Sequence, residues 1–183
     1  LESAMKKMVW IIPAVFLSIL VLIYFALKQI VPTLIVFFTL PFALLGGLIY
    51  IEILDFAMSI AVIVGFLALL GVAAETAIVM IVYLQESVNE SKAKYADSFS
   101  LEHLNDAIYE GAVQRVRPKL MTVFAILAGL APIMYINGVG SEVMQRIAAP
   151  MLGGVVSSAI LSLIIIPILF ELYAKTEFVK NND

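Results

Sequence analysis

Five long apolar runs make up most of this chain, separated by three short breaks and one long polar stretch: Met8–Leu27, Ile30–Ile51, Ala57–Leu84, Leu120–Ile136 and Ile147–Tyr173. At about 1.5 Å per residue, roughly 20 apolar residues in a helix cross a hydrocarbon core about 30 Å thick. Backbone exposed to lipid has to satisfy its own hydrogen bonds, so each run is predicted to be α-helical. The pattern predicts an all-α membrane protein with five transmembrane helices. Pro13 falls in the first turns of the first span, where proline is tolerated. Pro41 and the pair Gly46-Gly47 interrupt the second, predicting a kink or a close helix contact. The fourth span is short and holds Gly129 and Pro132; the fifth carries Gly153-Gly154 early and Pro167 late.

One long polar stretch, residues 85–119, joins the third and fourth spans. From Glu86 to Asp97 it is charged and poorly periodic. After Ser98 and Ser100, apolar residues recur at three- and four-residue steps: Leu101, Leu104, Ile108, Ala112 and Val116. A one-sided stripe opened by a serine cap predicts an amphipathic helix over 101–116. It is expected to lie on the membrane surface and feed the fourth span, or to pack on another domain of a larger protein.

The composition agrees: 63% of residues are hydrophobic, mean hydropathy is +1.07 and 14% are charged. Soluble domains run nearer half apolar and a quarter charged. Cysteine is absent, which excludes disulfides and thiolate metal sites. The single His103 has no second His or Cys to form a zinc site and is read as solvated. Lys92, Lys94, Arg115, Arg117 and Lys119 in the loop share a side with Lys28, Lys175 and Lys180, against Lys6, Lys7 and Arg146 opposite. The excess puts the loop and the C-terminus in the cytoplasm and Leu1 outside. Trp10, Tyr24, Tyr50, Tyr83, Tyr135 and Tyr173 lie near span ends, as an interfacial belt would. The chain opens on polar residues that lead straight into a span, with neither an initiator Met nor a signal sequence, so it is expected to be a piece of something longer.

Glu75 is the residue that asks for an explanation. It is the only charged side chain in the 28 residues of Ala57–Leu84, about 18 residues in. A carboxylate at that depth costs at least about 2–3 kcal/mol unless protonated, paired or wetted, so it marks an ion or proton pathway or else glues helices. Lys119 opens the fourth span with Thr122 at i, i+3 on one helix face. It could snorkel to the interface or climb toward Glu75 as an intramembrane pair. Met144, at the external side, offers a soft thioether suited to Cu(I) or Ag(I), although methionine is also an ordinary gap-filling residue.

Three segments carry a resemblance: GVAAETAIVMIVYL (71–84), LNDAIYEGAVQRVRPKLMT (104–122) and GSEVMQRIAAPMLGG (140–154). In that order they resemble the C-terminal membrane half of resistance–nodulation–division (RND) exporters, in particular the CusA-type copper/silver branch. Essentially the whole chain is covered, as the last five of twelve transmembrane helices. The resemblance implies a proton relay through Glu75 and Lys119, with Arg115 and Thr122 as weaker supporting positions. It also implies a place for Met144 on a stepwise metal path. Drug exporters carry Lys where this chain has Glu75 and an apolar residue at Lys119. Zinc and cobalt exporters tend to lack the Lys of R-x-R-P-K and the Met of GSEVM.

Those matches imply a proton-driven secondary transporter of the bacterial inner membrane, not an enzyme, exporting Cu(I) or Ag(I). The expected partners are the remainder of its own chain, two further copies in a homotrimer, a periplasmic adaptor, an outer-membrane channel and the lipid bilayer. Nucleic acid is not expected, nor is any tightly bound cofactor. The relay aspartate and the other methionine pairs of the family belong to parts absent here, so the fragment alone is expected to be inactive. An exporter of drugs or divalent metals, and a multi-span scaffold or assembly protein, stand as alternatives.

Overall fold

A computed structural model describes residues 2–95 and 98–182, without the side chains of 2–9, 12, 181 and 182. Leu1, Asp97 and the side chains of Lys6 and Lys7, which the sequence reading used, lie outside that description. The described residues are almost entirely helical, with no strand. The helices are α1 (Glu2–Leu27), α2 (Ile30–Ile53), α3 (Ile60–Tyr95), α4 (Leu101–Leu130), α5 (Ser141–Ile160) and α6 (Ile166–Asn182). A 3₁₀ turn, Ala131–Tyr135, ends α4, and a π turn, Leu161–Ile165, joins α5 to α6 in one continuous rod. By length and apolarity four helices can cross a membrane: Ile30–Ile53, Ile60–Tyr95, Leu101–Tyr135 and Ser141–Lys180. Pro13–Leu27 is a shorter apolar helix.

Small residues set how closely the helices approach. The most extensive interface is between α2 and α5, where Gly46 and Gly153 meet backbone to backbone. A Cβ at either would collide with the other's carbonyl oxygen. A Cβ on Gly47 would fall on the Pro150 carbonyl, and one on Gly154 on the Leu69 side chain. Ser157 adds an interhelical bond, its Oγ donating to the Ala43 carbonyl at 2.6 Å. Helix α2 runs unbroken through Pro41, so the close contact at the glycines, and no break, is what the second span provides. Many large apolar side chains remain outside, among them Trp10 (80% exposed), Leu22 (66%) and Phe124 (66%). An apolar surface of that extent fits lipid or further protein.

The loop region departs from its expected form. Helix α3 continues to Tyr95, and the amphipathic segment 101–116 is the first half of α4, joined to the fourth span without a break at Pro118. It stands against α3 and α6, not flat on a surface: Leu104, Ala107, Ile108 and Gly111 are buried, while Leu101 and Val116 are exposed. The physical reason is a partner helix long enough to cover that face. His103 is half-buried and caps a helix. Its backbone N–H donates to Ser100 Oγ, its Nδ1 accepts from the Ser100 N–H at 3.3 Å, and its ring stacks on Tyr95 at 3.9 Å. It closes a capping box, satisfying N–H groups the helix start leaves unpaired.

Candidate functional site in the membrane

The α3–α4 hairpin brings the sequence-predicted residues together by antiparallel register. Near its turn, Ser91 Oγ donates to the His103 carbonyl at 3.4 Å. One helical turn further, Ser87 Oγ donates to the Ala107 carbonyl at 2.6 Å. Gly111 then packs against Ser87 and the Tyr83 carbonyl, and the Arg115 guanidinium lies 4.3 Å from the Tyr83 ring centre. Each turn along α4 is matched by a turn back along α3. The same register sets Lys119 opposite Thr76, and Lys119 Nζ donates to Thr76 Oγ1 at 2.6 Å.

Lys119 is only 8% exposed. It lies on the stripe Leu104, Ile108, Gly111, Arg115, Lys119, Val123, built from three- and four-residue steps and turned toward α3. The snorkelling geometry is therefore not the one adopted. Thr76 in turn donates to the Val72 carbonyl at 2.8 Å, which leaves its oxygen free to accept from the ammonium. A buried ammonium carries three donors, and one hydroxyl satisfies only one of them. The site holds a charge that further acceptors would stabilise.

The intramembrane pair between Glu75 and Lys119 that the sequence allowed is not formed. The Glu75 side chain is exposed, not turned into this bundle. It borders an open apolar groove of about 350 Å³ between α1 and α3, with Ile19, Leu22, Ile23, Gly71 and Ile78. One residue is about 100° of helix rotation, so Thr76 takes the α4-facing position and Glu75 the next face round. No ion pair joins Glu75 to Lys119; among the described residues the pair within 4 Å is Lys175–Glu171. Lys119 does lie within Coulombic range of both Glu75 and Arg115.

Thr122 also departs from expectation. It is exposed and donates to the Pro118 carbonyl at 3.0 Å, while Val123 at i+4 shares the buried face with Lys119. The four-residue step follows this stripe better than the three-residue one. Met144 sits in the first turn of α5, 51% exposed, far along the chain from the hairpin. Among the described residues no group of three or more His, Cys, Asp or Glu could hold a metal ion. The residue that sequence reasoning passed over is Thr76. Its signal was present in the adjacency to Glu75, but only the hairpin register selects it as the partner of Lys119.

An all-helical bundle of rods long and apolar enough to cross a membrane, with a buried lysine on one helix and an exposed carboxylate on its neighbour, defines a multi-pass membrane protein. Residues 1–174 match the AcrB/AcrD/AcrF family, and the chain belongs to it. It is similar to the cation efflux system proteins SilA of Salmonella typhimurium (45% identical over 173 residues) and CusA of Escherichia coli strain K12 (44% over 173). Each alignment covers 94% of this chain and 16% of the relative. A crystal structure of a heavy metal efflux pump superposes with a TM-score of 0.79 at 29% identity, covering 95% of this chain and 16% of that one. The resemblance to the heavy-metal branch of RND exporters holds, and the chain spans about a sixth of the length of these relatives.

Proposed function

We propose that this chain is the C-terminal membrane portion of a proton-driven RND exporter of Cu(I) or Ag(I), seated in the bacterial inner membrane. The observation that carries the reading is the buried Lys119 ammonium on Thr76, one residue from an exposed carboxylate at membrane depth. Glu75 projects from a face that the remainder of the chain would cover, where a carboxylate supplied by that remainder would complete the relay. As that group gains and loses its proton, Lys119 and Glu75 exchange partners, and the change in pairing biases two helix arrangements. Arg115, stacked on Tyr83, keeps a second positive charge at the cytoplasmic side of the site. Thr122, bonded to its own helix, takes a supporting place on the outer face of α4.

In this reading the 85–119 hairpin and the C-terminus are cytoplasmic, and Met144 on the external side passes the soft ion outward with a sulfur from elsewhere in the exporter. The working unit is a homotrimer that engages a periplasmic adaptor and an outer-membrane channel, with no tightly bound cofactor. Lys119 in R-x-R-P-K and Met144 in GSEVM favour a monovalent soft metal over divalent metals or drugs. Family membership disfavours the scaffold alternative. The test is Glu75→Gln in the full-length exporter, which keeps size and hydrogen bonding but removes the titratable charge. Metal resistance should be abolished at unchanged expression; wild-type resistance would leave Glu75 as helix glue.

A further inference from the structure

Behind α3, on the side away from Glu75, three hydroxyls converge where α2 meets the α5–α6 joint. Thr39, Ser158 and Ser162 are 6%, 4% and 2% exposed, and they border a small cavity lined also by Leu40, Ala73 and Ala77. The centre of a water-sized sphere can range over about 10 Å³ inside it. That is the lower end of the roughly 10–15 Å³ that one water molecule needs, so it holds one at most.

The hydrogen bonding specifies what fits. Thr39 Oγ1 donates to the Val36 carbonyl at 2.7 Å, Ser158 Oγ to Val155 at 2.9 Å and Ser162 Oγ to Ala159 at 3.0 Å. Each hydroxyl has one proton, already committed to its own helix, so only lone pairs remain for the cavity. The occupant must therefore be a donor. No carboxylate borders the cavity and three hydroxyl oxygens are too few for a metal cation, which takes about six. Pro167, just past the π turn, has no N–H to give, so the helical ladder there has one donor fewer.

We propose that this cavity is a binding site for a single ordered water, which bridges α2 to the π turn between α5 and α6. The water donates its two protons to two of the acceptors and ties together helices that otherwise meet there through alanine. Ala73 and Ala77 lie about 160° round α3 from Glu75, at about 100° per residue. The joint is thus the surface against which the Glu75 helix would move. A water bridge re-forms to new acceptors during such a shift, where a direct side-chain bond would have to break.

The test uses the full-length protein in lipid nanodiscs, imaged at a resolution that shows ordered waters. One peak should lie about 2.6–3.2 Å from at least two of the three hydroxyl oxygens. Direct hydroxyl-to-hydroxyl contact with no peak would overturn the proposal. So would a peak held at about 2.4 Å by five or more oxygens, which would be a cation. Thermal unfolding of Thr39→Val, Ser162→Ala and the double variant gives an independent reading. No direct bond joins these two side chains, yet a shared water should couple them. The double variant should lower Tm by measurably less than the sum of the two single shifts. Additive shifts would sink the bridge.

Discussion

Lys119 and Thr76 form one of the two shortest hydrogen bonds between α3 and α4, and their energetics differ from those of a surface pair. A hydrogen bond to a charged group contributes about 1.5–3 kcal/mol, and a buried ammonium that loses it keeps its desolvation cost. In the proposed full-length exporter, Thr76→Val should lower metal resistance by roughly this much in coupling, about ten-fold or more in transport rate, at unchanged expression. Thr76→Ser should restore it, since the hydroxyl returns. Lys119→Met, which keeps the stem and removes the charge, should abolish proton-linked transport altogether. Transport assays in proteoliposomes with an imposed pH gradient separate these outcomes. A Thr76→Val protein with unaltered gradient dependence would reduce the contact to packing.

At the scale of elements, two devices hold the bundle: glycine contacts between α2 and α5, and the polar zipper of the α3–α4 hairpin. Lipid offers little hydrophobic drive for helix association, so backbone approach and interhelical hydrogen bonds take over. Gly153→Val should separate α2 from α5, because its Cβ would meet the Gly46 carbonyl and the Tyr50 side chain. Overpacking of this kind costs about 1–3 kcal/mol. Gly129→Val serves as the control, since no atom lies within 4 Å of a Cβ placed there. The expected result is a lower unfolding temperature in detergent for Gly153→Val and little change for Gly129→Val. Equal shifts would mean that the close approach carries no special stability.

At the scale of the whole molecule, the chain leaves many large apolar side chains exposed, and two of its candidate site residues, Glu75 and Met144, face outward. Both are half-sites in the proposed exporter. One thioether cannot hold a soft cation, so the fragment in detergent should show no tight silver binding by titration calorimetry. Met144→Ile in the full-length exporter should lower silver export at nearly constant side-chain volume. Silver tolerance equal to wild type would reduce Met144 to packing and return the substrate to an unspecified heavy metal.

Hydropathy alone determined the all-helical membrane class, because lipid leaves the backbone no other way to satisfy its hydrogen bonds. The three motif segments, read as a resemblance, fixed the family. Glu75 and Lys119 were legible as candidates because a charge in an apolar run is costly wherever it lies. Their relation was not legible. The loop's charge hid the extension of α3 to Tyr95, and without that length the depth of Lys119 relative to α3 could not be counted. The antiparallel register of the hairpin decided it, selecting Thr76 and turning Glu75 to another face. The face each residue takes depends on helix length and on which neighbour covers which side, and only packing in three dimensions supplies that.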